Sequence, residues 1–153
     1  MNFIKKHLKN ERGLTLIELL AVVVILGIIA AIAIPSIGGL ISNSKKDAHI
    51  ANAQQMVSGA RTAVAGNDSI IDLDGKTKTT QNISLKELQD SGYIEEVKDP
   101  SKNGYNITDS LVTITKETNG SFTYSVTLKG KDVDTAYLVG DPSELTRGEV
   151  TLP

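Results

Sequence analysis

The chain has 153 residues, of which 40% are hydrophobic and 22% are charged, and it has no cysteine. A chain of this length has room for one domain, and the lack of cysteine excludes disulfides, thiolate metal sites and cysteine nucleophiles. The first 13 residues hold four of the 16 basic side chains and one of the 18 acidic ones, so the remainder is acidic. An acidic body does not suggest a nucleic-acid binder, because phosphate backbones need a surplus of Lys and Arg on one face, and no nucleic-acid partner is predicted.

A basic leader, residues 1–13, is followed by a long apolar segment, Leu14–Ile34. In these 21 residues Glu18 is the one charged side chain, and Thr15 is the one other polar side chain. A helix of this length is roughly 30 Å long, about the thickness of the hydrocarbon core of a bilayer. The segment therefore predicts a helix that can span a membrane.

The helix is predicted to continue, in amphipathic form, over residues 35–65. Its apolar positions recur at steps of three and four residues, which places them in one stripe along a helix: Ile50, Ala53, Val57, Ala60 and Val64. Gly66-Asn67 is typical of a helix stop.

The remainder of the chain is predicted to be a loop followed by a small sheet. A loop is predicted from Asn67 onward, and within this loop Ser84–Glu87 forms a capping box that opens a short helix ending near Gly92. Asn119-Gly120 indicates a two-residue hairpin turn. Three strands are predicted: Leu111–Glu117, Ser121–Leu128 and Asp134–Val139. The predicted fold is α+β, with one long N-terminal helix whose second half packs on an antiparallel sheet.

Three interpretations of the N-terminus compete. It could be an uncleaved signal anchor, a secretory signal peptide cut after Ala31-Ile-Ala33, or a leader cut between Gly13 and Leu14. A carboxylate inside a membrane helix costs about 2.5–3.5 kcal/mol. In a signal anchor or a discarded signal peptide, Glu18 has no function that would offset this cost. Cleavage after Gly13 would create an amine at Leu14, which could neutralise that carboxylate between neighbouring subunits. It would also keep the long helix in one piece.

The segment Lys9–Leu20 resembles the class III leader and cleavage signature of type IV pilins and type II pseudopilins. In that family a basic leader ends in glycine, an apolar residue follows, and glutamate is the fifth residue of the mature chain, the position of Glu18 here. Gly27 and Pro35 lie where the family carries a helix-breaking glycine and proline. Leu14 stands where the family usually has phenylalanine.

The resemblance implies how the chain is processed and assembled. A prepilin peptidase would cut after Gly13 and methylate Leu14, and Leu14–Ile34 would then hold the protein in the cytoplasmic membrane. A platform protein and an ATPase would extract subunits into a helical homopolymer, with Glu18 setting the register between subunits by charge. The helix would break at Gly27 and Pro35.

The resemblance also implies a division of the chain and a function. The expected parts are a cleaved leader (1–13), a membrane and filament-core helix (14–41) and a globular head (42–153). We expect a structural subunit of an extracellular type IV pilus, with no catalytic activity, cofactor or metal.

Two other functions stay open at this point. One is a pseudopilin of a type II secretion or DNA-uptake system, and the other is a membrane-anchored binding module. The lack of cysteine is more typical of Gram-positive members of the family. Nothing in the sequence distinguishes adhesion, twitching motility, biofilm growth and DNA uptake.

Weaker signals have ordinary structural interpretations. Asp72-Leu-Asp74-Gly75 hints at calcium, but the register of an EF-hand is wrong, and a plain turn is preferred. His49 is expected to be a solvated or half-buried side chain, and Lys45-Lys46 a solvated face beside the membrane. Four glycosylation sequons are interpreted as turn and cap residues: Asn67, Asn82, Asn106 and Asn119.

Overall fold

A computed structural model describes residues 15–153, except residues 75 and 78. The elements in chain order are α1 (Leu16–Ala65), β1 (Thr80–Ser84), α2 (Leu85–Asp90), β2 (Leu111–Lys116), β3 (Phe122–Lys129), β4 (Ala136–Gly140) and a 3₁₀ turn (Arg147–Glu149). A long helix followed by a four-stranded antiparallel sheet confirms the predicted α+β fold. Contacts within the chain divide it after Leu40, and Ile41–Pro153 forms the second unit.

Helix α1 is 50 residues long and ends where the stop was predicted. Two residues after Ala65, Asn67 takes a left-handed backbone with φ of 48°, which asparagine tolerates better than most residues. The next N–H, that of Asp68, donates to Ala63 O at 3.1 Å. This hydrogen bond is typical of a Schellman motif, which satisfies the last carbonyls of a helix.

Helix α1 runs through Gly27 and Pro35 without interruption. The helix break predicted at these two residues is therefore absent from the described helix. Glycine and proline weaken a helix interior by about 1 and 3 kcal/mol relative to alanine, but regular helix on both sides keeps the segment helical. Unwinding of this region inside a filament stays a prediction.

The strands pair in the order β1-β2-β3-β4, and each neighbouring pair is antiparallel. Strands β2, β3 and β4 lie within about two residues of their predicted bounds. Because side chains alternate between the two faces of a strand, Val112 and Ile114 on β2 are buried together. Val112 lies opposite Ile83 on β1 and Val126 on β3, so the register builds one apolar face.

The apolar face of the sheet shares one hydrophobic core with the second half of α1. All five residues of the predicted stripe lie in this core or pack against it: Ile50, Ala53, Val57, Ala60 and Val64. The buried side of the helix is wider than the stripe, because it also includes His49, Met56, Gly59 and Ala63.

Strand β1 lies in the stretch that was predicted as a loop. Each of its residues, Thr80–Ser84, has a partner on β2. The sequence Thr-Gln-Asn-Ile-Ser contains one apolar side chain, so it shows no alternating pattern by itself. The loop prediction was wrong here because pairing with a distant strand, rather than local propensity, defines β1.

The connection between β2 and β3 is a hairpin, as predicted, but its turn has three residues rather than two. Glu117 N–H donates to Ser121 O at 2.8 Å, and Gly120 N–H donates to Glu117 O at 2.9 Å. Gly120 has φ of 85°, whereas Asn119 does not have a positive φ. The pattern is that of a type I turn followed by a glycine bulge, since a two-residue type I′ turn needs positive φ at both positions.

Helix α2 opens with the predicted capping box. Ser84 Oγ accepts from Glu87 N–H at 3.2 Å, and the Glu87 carboxylate accepts from Ser84 N–H at 2.7 Å. The helix ends at Asp90, just before Gly92 turns the chain with φ of 74°. Local sequence therefore predicted both ends of this helix.

Candidate functional site

The start of α1 is organised by Glu18. The leader 1–13 and the predicted cleavage site, Gly13 and Leu14, lie outside the described residues. Glu18 Oε2 accepts from the N–H and from the hydroxyl of Thr15, both at 2.7 Å, and Thr15 Oγ1 accepts from Glu18 N–H at 3.3 Å. The two residues form a capping box, and the spacing Thr-x-x-Glu before an apolar run could have predicted it.

The capping box occupies one side of the Glu18 carboxylate. Both hydrogen bonds from Thr15 end on Oε2, while a carboxylate has acceptor positions on both oxygens. Among the residues that the structure describes, none donates a hydrogen bond to Oε1. The predicted pairing of Glu18 with the amine of Leu14 involves a residue outside the described part and stays a prediction.

The first half of α1 exposes its apolar side chains. From Leu16 to Ile41, every leucine, isoleucine and valine side chain is between 49% and 85% exposed. By its length and composition, α1 is able to cross a membrane. A continuous apolar surface of this size is unfavourable in water. It therefore requires lipid or other protein around it.

A buried polar cluster lies between α1, the segment after α2 and β4. His49 is 0% exposed, and its Nδ1 lies 2.8 Å from Tyr105 Oη. Its Nε2 lies 3.1 Å from Ser101 Oγ and 3.8 Å from Asp99 Oδ1. The ring of Tyr137 packs on the imidazole with centroids 4.7 Å apart. Burial lowers the pKa of His49 and raises the pKa of Tyr105 and Tyr137.

An irregularity in the sheet brings Tyr137 into this cluster. The pairing of β3 with β4 shifts between Leu128 and Lys129, so Tyr137 has no partner on β3. Bulges of this kind redirect a side chain, and Tyr137 and Leu138 are both buried although they are consecutive. Gly130 leaves room for the tyrosine ring, since a Cβ there would overlap the Tyr137 hydroxyl and lie 2.6 Å from Cζ.

The expectation that His49 is solvated or half-buried was wrong. Its hydrogen-bond partners lie more than 50 residues away in sequence, so no local pattern could have revealed them. The sequence did contain one indication that His49 is buried, namely its position relative to the apolar stripe of α1. His49 immediately precedes the stripe residue Ile50, and at 100° per residue it falls near the buried face.

The C-terminal segment is tied to α1 by an ion pair. Arg147 Nε and Nη2 donate to the two carboxylate oxygens of Asp47, both at 2.6 Å, and Lys46 Nζ donates to Arg147 O at 3.0 Å. Arg147 lowers the pKa of Asp47, and Asp47 raises the pKa of Arg147. Both side chains are about half exposed, at 57% and 48%, so solvent screens the pair. Lys46 therefore has a specific contact that the prediction of a solvated face did not include.

The weak calcium and sequon signals coincide with turns. Asp74 Oδ1 accepts from the N–H groups of Lys76 and Thr77 at 2.8 and 2.9 Å, while Gly75 lies outside the described residues. Asn106 and Asn119 each accept, through Oδ1, the N–H of the residue two positions later. In the described part of the chain, no three His, Cys, Asp or Glu side chains are placed to hold a metal ion.

Comparison with known families gives a match at the N-terminus. Residues 8–34 match the family described as the prokaryotic N-terminal methylation motif. No curated protein and no solved structure matches the chain. The predicted resemblance is thus confirmed over the segment that contains the cleavage signature and most of the apolar helix.

The motif and the exposed apolar helix together define the class of the protein. It is a precursor similar to type IV pilins and pseudopilins, and membrane insertion follows from the same two observations. The match covers the N-terminal segment only, and it does not separate a pilus subunit from a pseudopilin.

Proposed function

We propose that this chain is a structural, non-catalytic subunit of an extracellular type IV pilus. The observation that carries the proposal is the apolar surface of α1, whose leucine, isoleucine and valine residues are exposed from Leu16 to Ile41. Lipid covers this surface before assembly, and the same helices of neighbouring subunits cover it afterwards. Burial of apolar area then favours bundling, because water is the alternative environment once a helix leaves the bilayer.

The processing steps belong to the same proposal. A prepilin peptidase cuts after Gly13 and methylates Leu14, and an ATPase and a membrane platform drive subunits into the filament. The match to the methylation motif supports the cleavage and methylation steps. Adhesion, twitching motility and DNA uptake are separate uses of such a filament, and the proposal does not choose among them.

Mass spectrometry of the mature protein tests the processing. We expect the intact mass to lack residues 1–13 and to carry one added methyl group. Gly13→Ala should be cut poorly, because the peptidase accepts little bulk at that position. A mature terminus after Ala33 would contradict the pilin interpretation, since the filament helix would then have been discarded.

We propose that assembly uses Oε1 of the Glu18 carboxylate, to which no residue in the described part of the chain donates a hydrogen bond. Oε2 accepts two hydrogen bonds from Thr15, which favours one orientation of the group before a subunit docks. Oε1 can then accept the charged amine of Leu14 from a neighbouring subunit. An axial slip would separate these charges inside an apolar bundle, which is unfavourable, and the pair therefore sets the register.

Mixed expression tests this role of Glu18. Glu18→Ala should still be cleaved and inserted in the membrane, but it should be depleted from filaments when expressed together with the wild-type chain. Glu18→Asp should be intermediate, because it keeps the charge and shortens the reach. Glu144→Ala removes an exposed carboxylate of the second unit and serves as the matched control. If Glu18→Ala subunits enter purified filaments at the ratio of their expression, the charge mechanism is wrong.

Electron microscopy of the cell surface separates the proposal from its alternatives. Long fibres that are lost with this chain support a pilus subunit. A secretion or DNA-uptake defect without fibres would instead indicate a pseudopilin. If loss of the chain affects neither fibres nor secretion or DNA uptake, a membrane-anchored binding module is favoured.

A further inference from the structure

The cluster around His49 has no part in filament assembly as proposed above, yet it contains several titratable groups in a buried site. Three elements meet at the imidazole: α1 supplies His49, the segment after α2 supplies Asp99, Ser101 and Tyr105, and β4 supplies Tyr137. The Asp99 side chain is 1% exposed. In the described residues, no buried side-chain nitrogen or oxygen lacks a hydrogen-bond partner.

The hydrogen bonds assign the neutral Nε2–H tautomer to His49. Asn52 Nδ2 donates to Tyr105 Oη at 2.8 Å, so the single proton of that hydroxyl is available for His49 Nδ1. Nδ1 is then an acceptor and carries no proton. The proton lies on Nε2, which donates to Ser101 Oγ at 3.1 Å.

Protonation of His49 conflicts with this arrangement. An imidazolium has two N–H donors, so Nδ1 would point a second proton at Tyr105 Oη. The tyrosine proton would have to rotate away from Nδ1, and Tyr105 is only 7% exposed. A buried donor without an acceptor is unfavourable, and so is a charge without water.

The charged groups that face His49 partly offset one another. Asp99 is a counter-ion at 3.8 Å and favours the protonated form, whereas Lys45 on the same helix disfavours it. Tyr105 and Tyr137 are neutral at physiological pH, since burial raises the pKa of each. Burial is the largest influence on His49, so its pKa lies below the ordinary value.

We propose that His49 is an acid-sensitive latch: its neutral form fastens residues 99–105 to α1, and its protonation releases that segment. The released segment would include the turn at Asp99, which is closed by the hydrogen bonds from Ser101 N–H at 2.7 Å and Lys102 N–H at 3.0 Å. The surface of the second unit would then change in acid while the apolar helix, which has no histidine between Leu14 and Ile41, stays as it is.

The direction of the pH dependence follows from the lowered pKa. The open or unfolded state takes up the proton near pH 6.5, the ordinary value for histidine, before the latched state does. The latch is therefore at full strength above about pH 6.5, weakens as the pH falls toward the pKa of the latched state, and weakens no further below it. One proton changes the opening equilibrium by at most about tenfold per pH unit.

Hydrogen–deuterium exchange of the full chain in detergent micelles between pH 5 and 8 tests the latch. After correction for the intrinsic exchange rate, the opening equilibrium of a peptide spanning 99–106 should rise by up to about tenfold per pH unit below pH 6.5. A peptide spanning β3 serves as the internal reference and should change less. A flat opening equilibrium across this range for the 99–106 peptide overturns the proposal.

Two variants assign the effect to the histidine. His49→Gln should remove the pH dependence of the 99–106 peptide, because glutamine does not titrate. Asp99→Asn keeps the Oδ1 acceptor for Ser101 N–H but removes the counter-charge, so the onset should move to lower pH. If His49→Gln folds and the pH dependence persists, another group is responsible and the latch is wrong.

Should His49→Gln fail to fold, an NMR titration of the wild-type histidine rings decides the matter. The chain has two histidines, His7 and His49, and the His49 ring can be identified by its contacts with Tyr105 and Tyr137. We expect this ring to be neutral, in the Nε2–H form, at pH 6.5. A His49 ring that titrates at or above pH 6.5 overturns the proposal.

Discussion

Gly130→Ala adds a single methyl group, and we expect it to destabilise the second unit. A Cβ on Gly130 would overlap the Tyr137 hydroxyl and lie 2.6 Å from Cζ and 3.1 Å from Val133 Cγ2. Tyr137 is 1% exposed and packs on His49, so a shift of its ring would disturb this packing. Either the ring leaves the cluster or the strand moves.

Overpacking of a well-packed core costs about 1–3 kcal/mol. Since 1 kcal/mol corresponds to roughly 4 °C for a domain of this size, Gly130→Ala should lower the Tm by roughly 4–12 °C. The assay is thermal unfolding of the full chain in mild detergent, followed by near-ultraviolet circular dichroism, which reports the packing of the tyrosine rings.

Gly148→Ala is the matched control, because a Cβ there would meet Thr146 Oγ1 at an ordinary 3.6 Å. It should change stability by no more than about 0.5 kcal/mol, as is usual for surface substitutions. Equal Tm values for Gly130→Ala, Gly148→Ala and the wild type would show that the close approach of Gly130 and Tyr137 is not a constraint in solution.

Two further predictions concern the second unit as a whole. Deletion of residues 1–41 should leave a soluble, folded monomer, because no described residue before His49 is buried; an unfolded or fibre-forming product in sedimentation and circular dichroism would contradict this. Asp47→Ala and Arg147→Ala should show a small coupling in a double-mutant cycle that disappears in 1 M salt, because the pair is exposed and screened. Since Arg147 lowers the pKa of Asp47, the coupling should be present at neutral pH and lost as the pH falls through that pKa. A coupling that is insensitive to both salt and pH would indicate packing rather than charge.

The features that the sequence predicted correctly are those with local causes. The stop of α1 near Asn67, the capping box at Ser84 and the β2–β3 hairpin each depend on residues within a few positions of one another. The stripe from Ile50 to Val64 could be predicted from the sequence because a helix repeats its geometry every 3.6 residues. The length of the β2–β3 turn was predicted incorrectly for a local reason as well. Two-residue and three-residue turns both use glycine with positive φ, so the glycine does not distinguish them.

The features that the sequence did not reveal depend on distant partners. Strand β1 exists because it pairs with β2, and Tyr137 is buried because the pairing of β3 and β4 shifts near Lys129. The environment of His49 depends on both the bulge and the turn at Asp99. A single sequence gives no information on which distant residues meet, so a lone histidine was assigned the most common environment for that residue.

Glu18 has a structural role that the sequence reasoning did not include. The sequence argument was that a carboxylate in a membrane helix is too costly unless a new amine neutralises it. The capping box with Thr15 supplies two hydrogen bonds to that carboxylate without cleavage, so an uncut anchor could also tolerate it. The free-energy cost of a carboxylate in a membrane helix is therefore weaker evidence for choosing among the three interpretations of the N-terminus. The match over residues 8–34 carries the greater weight for cleavage. The hydrogen bonds from Thr15 to one oxygen of Glu18 are what the structure adds to the proposed mechanism of assembly.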